Sequence, residues 1–266
     1  MSDSRSKELA VITGASAGIG AVYAERLAAR GYDLVVVARR AERLEALSTK
    51  VFKAYGTKVL VIDADLTKEA DLARVEKVVA TDPAVRILVN NAGTSTLASL
   101  AQTSAEDASA MIALNVTALT RLTHAVLPAF LSRNSGVIIN VASVLSLHSM
   151  PISSIYSGTK GYVLNFSRGL QQELAQTGVK LQVVLPASTA TELWDLSGVP
   201  LATLNKDTVM TTENLVDAAL VGLDKGEAIT LPSVADASLW DRYDAARSAL
   251  FAATQTGQPA PRYTVG

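Results

Sequence analysis

The chain has 266 residues, 49% of them hydrophobic and 18% charged, with a formal net charge of −1. That balance implies a large core and excludes disorder as the main state. Acidic and basic residues are mixed along the chain, with no run that would select nucleic acid or a membrane surface.

Cysteine is absent, which removes disulfides, thiolate metal sites and cysteine nucleophiles. The two histidines, His124 and His148, stand too far apart in sequence to suggest a metal site, so no metal is expected. Residues 1–7 form an N-terminal extension, and the opening MSDSRSKELAVITG is polar where a secretory signal needs an apolar core. No stretch reads as the roughly 18 apolar residues of a membrane span. The expectation is a soluble, cytoplasmic protein.

Short runs rich in Val, Ile and Leu then alternate with longer segments whose apolar residues recur at three- and four-residue spacing. Strands are expected at 9–13, 33–37, 58–62, 87–89 and 137–141, apolar throughout as strands buried on both faces of a parallel sheet are. Helices are expected between them at 19–30, 41–55 and 68–80, with one long helix over 105–131. A helix at 155–176, a strand at 180–185, a helix opened by Thr212 as cap with Glu213 behind it, a strand at 228–231 and a helix at 235–253 complete the series. This βαβ alternation implies right-handed crossovers and an α/β, doubly wound, mostly parallel sheet of seven strands with helices on both faces, in a single domain over 1–266. Residues 189–211, with Trp194, Gly198 and Pro200, break the pattern as a lid over a site, and 255–266 read as a tail.

The first strand runs into Thr13-Gly14-Ala15-Ser16-Ala17-Gly18-Ile19-Gly20, where the first helix begins. Glycines let backbone approach a ligand closely, and the N–H groups of a helix start favour a pyrophosphate. A turn that merely packs helix on strand is the alternative, but the position between first strand and first helix favours a nucleotide held by Gly14, Ser16, Ala17, Gly18, Ile19 and Gly20. The spacing GxxxGxG resembles the cofactor motif of the short-chain dehydrogenase/reductase family, whose fold is Rossmann-like.

Further residues carry the same resemblance from about residue 10 to residue 191. Asp65 and Leu66 are similar to the family's adenine contact, and Asn90-Asn91-Ala92-Gly93 to its sheet-stabilising NNAG, which adds Asn91, Ala92 and Gly93 to the cofactor set. Asn115, Ser143, Tyr156 and Lys160 match its catalytic tetrad in order and approximate spacing. Singly, each has an ordinary reading as a turn residue, a helix amide or a cap. Together they fall in family order, with Asp65, Asn91 and Ser143 just past strand ends, where open α/β sheets bind ligands.

The chemistry also follows from the residue types. Reducing a ketone by hydride needs a proton donor at the nascent alkoxide, and a phenol with lowered pKa supplies one. Tyr156 and Lys160 lie one helical turn apart, so the ammonium is expected to lower the phenol's pKa. By the resemblance, Lys160 also holds the nicotinamide ribose, Ser143 binds the substrate oxygen, and Asn115 supports a water that links Lys160 to solvent.

At the end of the second strand Ala38 stands where a carboxylate would bind the ribose diol of NAD, and Arg39 and Arg40 follow. Guanidinium groups suit a 2′-phosphate, so NADP(H) is favoured over NAD(H). Pro186, Thr189 and Thr191 match the family's nicotinamide-binding segment, while Ala187 replaces a glycine and would be strained there if φ must be positive. Apolar walls at 144–155 and in the lid, with Leu145, His148 and Trp194 as substrate contacts, suggest a small, moderately hydrophobic carbonyl or alcohol. A 3-oxoacyl thioester reductase is the alternative enzyme, and a nucleotide-binding redox regulator the alternative from another class. The resemblance also implies a homo-oligomer, dimer or tetramer, formed through the helices at 105–131 and 155–176.

Overall fold

A computed structural model describes residues 7–263. Seven strands, β1 (Leu9–Thr13), β2 (Asp33–Ala38), β3 (Val59–Asp63), β4 (Val85–Asn90), β5 (Gly136–Val141), β6 (Val179–Val184) and β7 (Ile229–Thr230), form one sheet in the order β3-β2-β1-β4-β5-β6-β7. Every pairing is parallel, for example Val11 with Val35 and Leu88 with Ile138. This is the doubly wound, Rossmann-like sheet expected from the alternation. The order reverses between β1 and β4, which opens a crevice beyond their C-terminal ends.

The helices are α1 (Gly18–Ala29), α2 (Ala41–Tyr55), α3 (Glu69–Thr81), α4 (Ala105–Ile112), α5 (Leu119–Ser132), α6 (Ser154–Glu173), α7 (Leu193–Leu196), α8 (Thr212–Asp224) and α9 (Ser238–Ala253). On one face of the sheet α1, α2 and α8 close a core around Tyr23, Leu27, Leu44, Leu215 and Leu220. Elsewhere on the sheet α5 packs against α3, β4 and β5, and α6 against β5 and β6.

The described chain separates into two compact units, one ending at Pro232 and the other beginning at Ser233, where the sequence suggested one domain throughout. In the second unit α9 forms as expected, yet it buries none of its residues. Residues 1–6 of the N-terminal extension and 264–266 of the tail lie outside the described residues.

The helix expected over 105–131 is interrupted. Between α4 and α5, residues Ala113–Ala118 form a π turn. The span Ala105–Ser132 also corrects the expectation about membrane-length segments: by length and composition alone it is long and apolar enough to cross one, an 18-residue window within it having a mean hydropathy of 1.3. The α8 cap is Thr211 rather than Thr212, since the Thr211 hydroxyl accepts from the Asn214 N–H. Residues 189–211 are more ordered than a loop. Ala190 N–H donates to Met210 O and Met210 N–H to Ser188 O, each at 2.9 Å, so the two ends of the segment are tied together.

Candidate active site

Beyond the C-terminal ends of the strands lies a cleft of about 620 Å³. Its lining includes Gly14, Ser16, Ala17, Gly18 and Ile19 from the first turn, Arg39 and Arg40 after β2, and Asp65 and Leu66 after β3. Asn91, Ala92 and Gly93 follow from β4, Ser143 and Leu145 from β5, and Tyr156 and Lys160 from α6. Pro186, Thr189, Thr191 and Trp194 come from the segment after β6. Three expected site residues are not in the lining. Gly20 and Asn115 lie behind it, and His148 is exposed after the 3-10 turn Val144–Ser146, while Val144, Leu145 and Met150 of the same segment line the cleft. The structure therefore does not bring His148 together with the other expected substrate contacts, Leu145 and Trp194.

The first turn is built for close approach. Gly14 has φ +69°, which side chains rarely adopt. A Cβ on Gly20 would collide with the Gly14 carbonyl and the Asn91 amide. That amide donates to Thr13 O at 2.9 Å, while the Thr13 hydroxyl accepts from Asn91 N–H and Ala92 N–H at 3.0 Å each. Asn91 and Thr13 thus pin the β4 end to the glycine turn across the switch point. No side chain caps the α1 N-terminus and no acid stands in its first turn, so its N–H groups face the cleft with the positive end of the helix dipole. The glycine cradle and the uncapped helix start fit a dinucleotide.

Deeper in, the Lys160 Nζ donates to the Val141 carbonyl at 2.8 Å and lies 5.7 Å from the Tyr156 ring centre. The Ser143 hydroxyl accepts from Leu145 N–H at 3.1 Å and stands near enough to the Tyr156 phenol to influence its pKa. Burial pushes the phenol of Tyr156 up to about 12, with Ser143 pulling weakly the other way. Burial also lowers the Lys160 ammonium to about 8. Among the protein's own groups desolvation therefore sets the direction at both residues, raising the phenol and lowering the ammonium, where the sequence suggested a more acidic phenol.

Asn115 sits on the π turn, 1% exposed. Its Oδ1 accepts from Thr94 N–H at 2.9 Å, and its Nδ2 donates to Thr94 O at 2.9 Å and to the Thr159 hydroxyl at 3.1 Å. The Thr159 hydroxyl in turn donates to Tyr156 O at 2.8 Å. The π turn aims the amide at the strand β4 extension, a common use of such turns at functional sites. Both amide hydrogens are engaged, which leaves Oδ1's second lone pair and the backbone for any water relay.

Desolvation would raise the Asp65 carboxyl, but hydrogen bonds from the Thr67 hydroxyl and N–H hold it below the usual carboxylate range, and the charge of Arg39, exposed in the cleft, adds to this. Arg40 behaves differently: its Nη1 donates to Glu192 Oε2 at 2.8 Å, and its Nε and Nη2 donate to the Ser16 hydroxyl at 3.2 and 3.0 Å. Ala187 is not at positive φ, since Asn134 is the only non-glycine residue there among the described residues, so no strain arises. Trp194 ties the segment after β6 together by donating its indole N–H to Thr189 O at 2.9 Å. Thr159, Ser95, Glu192 and Arg43 were not anticipated. Ser95 is 5% exposed, lines the cleft and has no hydrogen-bond partner for its hydroxyl among the described residues.

A family model described as short chain dehydrogenase matches residues 8–198. A short-chain dehydrogenase from Sphingobium yanoikuyae, solved in complex with NADPH, is 45% identical with a TM-score of 0.94 over 97% of this chain and 100% of that one. The bulky-bulky ketone specific alcohol dehydrogenase from Comamonas testosteroni is 39% identical, with a TM-score of 0.89 over 97% of this chain and 99% of the other. The very-long-chain 3-oxoacyl-CoA reductase-B of Danio rerio is 36% identical over 188 residues, 69% of this chain and 60% of that protein. This chain thus spans about 60% of the length of the curated relatives it matches first. A family match running from β1 through α7, on the sheet order and glycine turn described above, shows that the chain belongs to the short chain dehydrogenase family.

Proposed function

We propose that this protein is an NADP(H)-dependent oxidoreductase that transfers a hydride between nicotinamide and the carbonyl or secondary alcohol carbon of an uncharged, hydrophobic substrate. The observation that carries this reading is the meeting of Ser143, Tyr156 and Lys160 at a cleft wall continued by Leu97, Leu114, Leu145, Met150, Leu193 and Trp194. When bound, the nicotinamide supplies the hydride. Ser143 hydrogen-bonds the substrate oxygen and fixes it beside the phenol. Tyr156, a phenol protonated at neutral pH and held more firmly so by the burial that raises it to about 12, donates to the nascent alkoxide. Lys160, held by the Val141 carbonyl, keeps N–H donors free for the nicotinamide ribose hydroxyls. Asn115 holds Thr94 and Thr159 so that α6 presents Tyr156 in a fixed position.

Support for a bulky ketone or alcohol comes from the apolar wall and from the printed specificity of the Comamonas testosteroni enzyme. A 3-oxoacyl thioester is the second reading, favoured by the likeness to the Danio rerio reductase. Against it, the segment 189–211 carries Glu192, Asp195 and Asp207 against a single cation, Lys206, a poor rim for an anionic carrier. Assays of bulky aryl ketones against 3-oxoacyl thioesters with NADPH separate the two: turnover of thioesters alone would overturn the ketone reading. Homo-oligomerisation belongs to the same proposal. Ile112, Leu131 and Tyr162, exposed on α4, α5 and α6, suit it, and light scattering tests it. Cytoplasmic location is proposed with it, to be checked by cell fractionation.

The cofactor preference rests on Arg39, exposed and without a carboxylate bonded to it among the described residues. Arg39→Asp is expected to lower NADPH efficiency by about 10-fold or more and to spare NADH, the scale of one lost charge-assisted phosphate contact plus a new repulsion. Unchanged ratios of kcat/KM for the two cofactors would exclude this role.

A further inference from the structure

Three arginines, Arg39, Arg40 and Arg43, lie at the start of α2, yet they are not equally available. Glu192, in the lid between Thr191 and Leu193, places Oε2 2.8 Å from Arg40 Nη1 and Oε1 2.6 Å from Arg43 Nη1. The remaining fork of Arg40 points to the Ser16 hydroxyl of the phosphate turn. One carboxylate therefore spans two guanidinium groups beside a hydroxyl of the pyrophosphate turn, which is the coordination a phosphate monoester would take there. The Glu192 carboxyl is held below the usual range by Arg40 and Arg43. All three side chains are 43 to 49% exposed, so the pairs are screened and exchange of one anion for another is inexpensive.

We propose that Glu192 is a specificity-determining residue for the cofactor: it acts as an internal anion on Arg40 and Arg43 that a 2′-phosphate displaces. This inference rests on the reading of the cleft as a nicotinamide dinucleotide site and deepens it. Glu192 limits how much positive charge meets the 2′ position, leaving Arg39 as the unengaged guanidinium and Arg43 as a reserve ligand that becomes available only when Glu192 withdraws. Removing the carboxylate frees two guanidinium groups for the phosphate and changes nothing for a cofactor that lacks it. A simple strap between lid and phosphate turn would behave otherwise, because its loss weakens every nucleotide alike.

The test is calorimetric binding of NADPH, NADH, 2′,5′-ADP and 5′-AMP to the full chain and to Glu192→Gln, Arg43→Ala and the double variant, with folding checked by circular dichroism. Glu192→Gln is expected to tighten NADPH and 2′,5′-ADP about fivefold, the scale of exposed ion pairs, and to leave NADH and 5′-AMP unchanged. Arg43→Ala is expected to remove most of that gain when added to Glu192→Gln. Equal weakening of all four nucleotides, or an unchanged preference, overturns the inference while the wild-type protein still binds both dinucleotides. A wild-type chain that binds neither NADPH nor NADH overturns the functional reading and this inference with it.

Discussion

Tyr156→Phe is expected to reduce ketone reduction by about 10³-fold, the usual contribution of a positioned general acid. NADPH affinity should stay at its wild-type value, because the ring remains and only the hydroxyl is lost. The phenol, raised to about 12 by burial, carries its proton throughout the neutral range and is ready to donate. Reduction should therefore be insensitive to Tyr156 ionisation below that value, while alcohol oxidation, which needs the phenolate, should rise as pH increases. Stopped-flow traces of NADPH absorbance with a saturating ketone read the effect directly, and a near wild-type rate in the variant would remove Tyr156 from the mechanism.

Lys160→Met is expected to abolish turnover and, at pH 7, to stabilise the fold. The buried ammonium titrates at about 8 instead of 10.5, so keeping it charged in the native state costs roughly 3 kcal/mol. Loss of its bond to the Val141 carbonyl returns about 1 to 3 kcal/mol of that. The net gain for the variant is about 1 kcal/mol, or a few degrees in Tm. The sign with pH follows from linkage. Between about 8 and 10.5 the unfolded wild-type chain binds a proton that the folded chain does not, so wild-type stability rises across that window and the variant's advantage shrinks. Denaturant unfolding at pH 7 and pH 10 checks this; a variant less stable at pH 7, with a gap that does not move with pH, contradicts it. Such an exchange of stability for function is common at active sites.

The parts of this molecule legible in the sequence were those governed by local pattern or by spacing along one element. The alternation of apolar runs gave all seven strands and their order of appearance, because parallel strands buried on both faces must be apolar throughout. Tyr156 and Lys160 were legible because one helix sets their separation, and Gly14 because its φ of +69° admits little else. The π turn at Asn115 was not, since its cause is tertiary: an amide drawn to the backbone of Thr94, which lies 21 residues earlier. Arg40 and Glu192 are 152 residues apart, so neither motif nor periodicity could pair them. His148 lies outside the cleft lining while Leu145 and Met150 on either side of it line the cleft, a placement that residue type alone does not give. The direction of the Tyr156 pKa in the chain's own groups was illegible for a related reason: sequence shows that a lysine is near but does not show that both groups are desolvated.

The most direct test of the central claim is the fate of a label in a single turnover. NADPH deuterated at the transferable C4 position, mixed with the enzyme and a bulky aryl ketone, should lose its absorbance as deuterium appears on the carbinol carbon, with a primary isotope effect on the rate. NADPH that binds tightly but transfers no deuterium to any ketone or 3-oxoacyl thioester would contradict the account.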